Sequence, residues 1–124
     1  MLGIIGAMEV EVEKLRAKMT ETEMKTVAGM NFCKGKLEGK DVVIVRSGIG
    51  KVNAAMCAQI LADVYHADHV INTGIAGSLK AEINIGDIVL STDALQHDMD
   101  ARAFGYDPGQ IPRVDTLSFK ADEK

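Results

Sequence analysis

The chain has 124 residues, enough for one small domain. Its net charge of −4 gives no basic footprint for nucleic acid and no polybasic patch for a membrane surface. No apolar run reaches the roughly 18 residues of a membrane span, and the start lacks a charged segment followed by a long apolar one. A cytoplasmic location is therefore expected. Cys33 and Cys57 show no metal-ligand spacing and read as reduced, semi-buried structural thiols.

Residues 2–6 predict a buried strand: short, apolar and bounded by glycine. From Met8 to about Met19 the pattern turns helical, with Met8, Val12, Leu15 and Met19 on one stripe. Glu9, Glu13 and Arg16 lie off that stripe and are expected to face solvent. Early glutamates also suit the positive end of the helix dipole. Residues 22–28, 31–37 and 41–47 predict strands, separated by turn signals at Ala28-Gly29 and Glu38-Gly39-Lys40-Asp41. Residues 30–37 alternate imperfectly, as a hairpin strand with one wet face would. Val42-Val-Ile-Val45 is a continuous apolar run and predicts a strand covered on both faces. Residues 51–65 form the strongest helical pattern. It is apolar almost all round, so burial on more than one side is expected. Ala55, Ala58 and Ala62 form a line of small residues that permits close packing, and a second subunit is the expected partner. Residues 69–74 predict another buried strand, and residues 86–91 a further one. From about Asp98 onward periodicity is lost, with no closing helix or strand. The element order predicts an α/β fold with a mixed sheet.

Four motifs carry candidate chemistry. Gly48-Ile-Gly-Lys51 fails as a phosphate loop: position 45 is Val where the first glycine belongs, and Val52 follows the lysine. It fails as a dinucleotide fingerprint too, since Asn53 stands in place of the third glycine. What survives is a strand-to-helix turn whose N–H groups can line a ligand site. Asn72-Thr-Gly-Ile-Ala-Gly77 is a second glycine turn after a strand, where a ligand can approach the backbone closely. His97-Asp98-Met99-Asp100 is a weak metal candidate, because neighbours on an extended chain point to opposite sides. Phe104, Tyr106 and Phe119 supply most of a sparse aromatic content. The plain role of Phe104 and Tyr106 is to pin a loop, and the alternative is stacking on a flat ligand or a partner.

Glu11 is the sharpest single residue. At 100° per residue it lies beside Met8 and Leu15, near the carboxyl end of the first strand, where open α/β sheets place their crevices. A lone helical glutamate is usually a solvated residue or a cap. On a buried flank its charged form is disfavoured, so a raised pKa suited to a general base is the expectation.

Gly3-Ile-Ile-Gly-Ala-Met-Glu-Val-Glu11, Ser47-Gly-Ile-Gly-Lys-Val52, Ile71-Asn-Thr-Gly-Ile-Ala-Gly77, Gly86-Asp-Ile-Val89, His97-Asp98 and Ala103-Phe-Gly-Tyr106 occur together in order. This ordered set resembles the bacterial 5′-methylthioadenosine/S-adenosylhomocysteine nucleosidases, of the nucleoside phosphorylase superfamily, from residue 1 to residue 124. The resemblance implies a mixed central sheet flanked by helices, a homodimer, no cofactor and no metal. It implies hydrolysis of the N-glycosidic bond of the two nucleosides, releasing adenine and a thioribose product. It assigns Glu11 to activating the attacking water. It places Met8, Ile49 and the backbone of Ile75, Ala76 and Gly77 around the nucleoside. Phe104 and Pro112 would reach across the dimer to the 5′-thio substituent, with Ala101 and Tyr106 nearby. The dimer would form through helix 51–65 and the 98–112 loop. Ile75 departs from the members that carry serine there, so only backbone N–H groups remain for holding. The family's leaving-group acid and ribose-binding pair lie in a second half that has no counterpart in residues 1–124. The expectation is an N-terminal part of one nucleosidase domain, inactive alone.

Two other readings compete. A phosphorolytic relative needs a cationic anion site. The stretch after Gly6 offers Met8 and two glutamates, leaving Arg46 and Arg102 as the nearby candidates. A non-catalytic fragment would persist as an interaction module with exposed sheet edges.

Overall fold

The computed structural model describes residues 1–123 and divides into two units, Met1–Gly77 and Ser78–Lys124. The first unit runs β1 (Leu2–Gly6), α1 (Glu9–Arg16), β2 (Thr20–Val27), β3 (Met30–Leu37), β4 (Lys40–Arg46), α2 (Lys51–Tyr65) and β5 (His69–Asn72). Its five strands form one mixed sheet in the order β2-β3-β4-β1-β5. β2, β3 and β4 are joined antiparallel by tight turns, whereas β1 lies parallel to both β4 and β5.

The alternation of a strand sends successive side chains to opposite faces. In β1 and β4 both sets are apolar, so the sheet carries a core on each face. Ile5, Phe32, Val43 and Val45 pack with Cys57 and Leu61 of α2. Ile4, Cys33, Val42 and Ile44 pack with Val12 of α1 and with Met19. The continuous apolar run at 42–45 is covered on both faces, as its composition predicts. Phe32 and Cys33 are both buried as well, so β3 has no uniformly wet face in its middle; α1 and α2 cover opposite sides of it. The β3 expectation is corrected on that point.

Two further expectations are corrected here. Residues 69–74 were expected to be buried, yet β5 spans only His69–Asn72. Val70 and Ile71 remain 46% and 48% exposed. Among the described residues β5 pairs with β1 alone, so its other edge and part of both faces stay open. The helix at 51–65 has the expected bounds and needs no correction: within this chain it buries one stripe, Cys57 and Leu61, and leaves Val52, Met56 and Val64 exposed on the side expected to meet a second subunit. α1 is shorter than its pattern. It ends at Arg16, and Met19 reaches the core from the turn that follows.

The second unit is mostly irregular. β6 (Asp93–Ala94) pairs antiparallel with β7 (Phe119–Lys120), which closes the tail that was expected to end without a strand. A single 3₁₀ turn spans Arg102–Phe104. The strand expected over 86–91 is absent. Ile88, Val89 and Leu90 have apolar strand composition but no ladder partner among the described residues, and they remain exposed. Without a neighbouring strand, β-propensity alone does not make a strand.

Candidate functional site

β1 ends at Gly6, and after Ala7 and Met8 the chain enters α1. This places Glu11 one turn in, beside the carboxyl end of the sheet. Its carboxylate reaches back: Oε2 accepts the N–H of Met8 at 2.8 Å. That is the glutamate half of a capping box, since the N-terminal N–H groups of a helix have no intrahelical acceptors. The other oxygen, Oε1, accepts the N–H of Ile75 at 3.1 Å, from the turn that follows β5. That turn is held against the sheet by Thr73, whose N–H donates to the Ile5 carbonyl at 2.8 Å.

Both glycines next to the carboxylate are there because no side chain fits. A Cβ on Gly74 would lie 2.5 Å from Glu11 Oε1, and one on Gly6 would lie 2.6 Å from a Val12 methyl and 3.1 Å from Glu11 Cβ. Glu11 is half-buried, but burial does not set its ionisation. The N–H of Met8, then that of Ile75, stabilise the carboxylate and hold its pKa below the ordinary value of 4.5. The raised pKa expected from the buried flank is therefore corrected. Hydrogen bonds to the charged form outweigh desolvation here.

A hollow of about 490 Å³ lies at the ends of β1 and β4; Met8, which donates to Glu11, is in its lining, whereas Glu11 itself is not. Met8 and Ile49, which the resemblance places around a nucleoside, are both in its lining. Ser47 anchors the rim. Its N–H donates to the Gly6 carbonyl at 2.9 Å and its hydroxyl to the Gly48 carbonyl at 2.8 Å. Asn53 holds the turn into α2 by donating to the Ile49 carbonyl at 2.8 Å. Arg46 and Glu9 face each other in the hollow at 3.9 Å, and Glu9 also pairs with Arg16.

Ser47, Asn53 and the Ala28-Gly29 turn also line the hollow, beyond the residues the sequence points to. Ser47 had a signal, a small polar residue between an apolar run and a glycine turn. The Ala28-Gly29 hairpin had none, because only the sheet order carries it to the hollow.

The remaining expected residues divide. Ile75, Ala76 and Gly77 follow β5, and the Ile75 side chain is exposed while its N–H serves Glu11. Ala101, Phe104, Tyr106 and Pro112 belong to the second unit. There Ala101 is buried, Phe104 is 82% exposed, and the Tyr106 hydroxyl accepts the Arg113 N–H at 3.3 Å. Pro112 is exposed. In the weak metal candidate, Asp100 is engaged by the Arg102 guanidinium at 2.7 and 2.9 Å. No group of three His, Cys, Asp or Glu side chains comes together among the described residues. Also among them, no helix is long and apolar enough to cross a membrane.

Comparison with known proteins places this geometry in context. The model of the phosphorylase superfamily matches residues 1–124. A 5′-methylthioadenosine/S-adenosylhomocysteine nucleosidase of Bacillus thuringiensis subsp. konkukian is 50% identical over 98% of this chain and 52% of its own length. Among solved structures, the corresponding nucleosidase of Colwellia psychrerythraea, in complex with adenine, superposes with a TM-score of 0.95 at 48% identity. It matches 98% of this chain and 50% of its own. That of Neisseria meningitidis, in complex with methylthio-immucillin-A, gives 0.94 at 41% identity, over 98% of this chain and 52% of its own. The chain thus spans about half the length of the curated relatives it matches.

Proposed function

Since the chain belongs to the phosphorylase superfamily, matched over residues 1–124, we propose that it carries the water-activating half of a nucleosidase site. The reaction is hydrolysis of the N-glycosidic bond of 5′-methylthioadenosine and S-adenosylhomocysteine. The observation that carries this reading is the Glu11 carboxylate, held ionised between the N–H groups of Met8 and Ile75 at the carboxyl end of β1. Relatives about half identical to this chain are nucleosidases for these two compounds, and a neighbouring structure holds adenine.

The chemistry follows from the carboxylate's state. As the bond from the sugar to adenine breaks, the sugar becomes oxocarbenium-like. A water attacking that carbon grows acidic as it bonds, and then even a carboxylate of low pKa takes its proton. Met8 and Ile49 supply apolar walls for the nucleoside, while Ile75, Ala76 and Gly77 offer backbone. Ala101, Phe104, Tyr106 and Pro112 would cover the 5′-thio end in a homodimer. The exposed Phe104 and the open face of α2 support that assembly. The acid that protonates adenine is assigned to the part of the relatives beyond the matched half. A cytoplasmic location accords with two free, buried thiols.

The test is adenine release from methylthioadenosine by this chain, alone and mixed with the unmatched half of the Bacillus thuringiensis relative. Release in the mixture that is lost on Glu11→Gln supports the reading. Release that survives Glu11→Gln, or none from an associated mixture, overturns it.

A further inference from the structure

Phe104 is a large apolar side chain left 82% exposed in a unit with little regular structure. An exposed ring on a loose loop must be ordered before it can bind, and that ordering weakens binding. Here the backbone around the ring is closed by its own bonds. The Phe104 N–H donates to the Ala101 carbonyl at 2.9 Å and the Gly105 N–H to the Arg102 carbonyl at 3.0 Å, which makes the 3₁₀ turn. The Gly109 N–H donates to the Met99 carbonyl at 2.8 Å and ties the two ends of the segment together. Ala101, the residue before the turn, is buried and anchors it.

One carboxylate sets this turn. Asp100 Oδ1 accepts the Arg102 N–H at 3.2 Å and its Nε at 2.9 Å, while Oδ2 accepts Nη2 at 2.7 Å. The planar guanidinium and the planar carboxylate meet as a fork, a geometry that lysine cannot copy. The bond to the N–H two residues on bends the chain into the first residue of the turn. The two guanidinium bonds fold the Arg102 side chain back onto Asp100. At three residues per turn, Arg102 and Phe104 project in different directions, so an arginine held on Asp100 leaves the ring's side open. Both partners are more than half exposed, so the pair adds little to overall stability, and its effect is local.

We infer that Asp100 and Arg102 are positioning residues for Phe104. Their fork fixes the turn Arg102–Phe104 and holds the ring in one outward pose, which favours nucleosides with an apolar 5′ substituent over those with a bare 5′-hydroxyl. That the ring meets a 5′-thio group rests on the nucleosidase reading; that the fork holds the ring does not. Both residues act through Phe104 and not on the reacting atoms.

The chain has no tryptophan, so Phe104→Trp gives a single reporter on the turn. Time-resolved fluorescence anisotropy of this chain, carrying Phe104→Trp alone or with a change at Arg102, reads the ring's motion. A fast component should grow with Arg102→Ala and also with Arg102→Lys, since lysine keeps the charge and loses the fork. The melting temperature should stay unchanged. The second readout keeps the native ring and compares methylthioadenosine with adenosine in the mixture with the relative's unmatched half. Arg102→Ala should raise KM for methylthioadenosine about three- to tenfold, the cost of ordering one side chain, with kcat and the KM for adenosine unchanged. In a Phe104→Ala background it should add nothing. Unchanged anisotropy in Arg102→Ala, or full rescue by Arg102→Lys, overturns the inference. So does a KM for methylthioadenosine that does not rise, or that rises equally for adenosine. If the mixture releases no adenine, the nucleosidase reading fails, and the anisotropy alone decides whether the fork holds the ring.

Discussion

Glu11 joins two points 64 residues apart in sequence, the start of α1 and the turn after β5. Both bonds favour the ionised carboxylate, so its folded pKa lies below 4.5. A depressed folded pKa gives stabilisation that is complete above the unfolded value and is lost as pH falls through the folded one. Glu11→Gln is therefore expected to flatten the acid limb of the stability curve below pH 4.5, leaving neutral pH dependence unchanged. Denaturant melts of both proteins at stepped pH check this, and parallel acid limbs would refute it. Gly74 is the second residue-scale case. Gly74→Ala puts a methyl group into the space of Oε1, 2.5 Å away, and must push the carboxylate aside. A displacement on the order of 1 Å at a catalytic group costs about 100-fold in rate. Adenine release by the complemented protein is expected to fall by about that factor with KM little changed.

At the scale of elements, α2 is tied to the sheet by a narrow stripe. Leu61 is fully buried and lies against β1, where a Cβ on Gly3 would come within 2.8 Å of its methyl. The helix and β1 approach this closely because position 3 has no side chain. Leu61→Ala leaves a cavity between two rigid elements and is expected to cost about 2–5 kcal/mol, measured by urea unfolding. Cys57 sits in the same stripe, and burial pushes its thiol up to about 11. Cys33, on the opposite face, is raised for the same reason. Since the thiolate is the reactive form, neither should react with a disulfide reagent at pH 8 until the protein is unfolded. Rapid labelling of either in the native protein would show that its layer opens.

At the scale of the molecule, the open surfaces are apolar. Val52 is 83% exposed on α2, and Val70 and Ile71 are half exposed on β5. Large apolar side chains left open on a helix and on an edge strand are candidates for contact with another polypeptide. If the homodimer forms through α2, Val52→Asp should shift the sedimenting mass from dimer to monomer, with association weakened at least tenfold. An unchanged dimer would move the interface elsewhere. Much of the chain's organisation was legible beforehand. Periodicity marked β1, β4 and α2 because each has an apolar pattern tied to its own geometry. The strand expected at 86–91 failed because a strand is a property of a pair, and its partner cannot be read from its own residues.

The local chemistry of this protein was set by sequence alone. Alternating and continuous apolar runs determined the mixed α/β sheet with a core on each face. Glycine positions marked the turns at 48–50 and 74–77, and the ordered motifs pointed to the superfamily. The tertiary structure decided everything that depends on what comes near what. It turned the Ile75 N–H toward Glu11, which lowers a pKa that the helix face alone predicts to be raised. It set Glu9 against Arg46, residues on α1 and β4 that no sequence spacing connects. Ionisation and charge pairing depend on distances of a few ångströms across the fold, and those distances are created only when the strands take their order in the sheet.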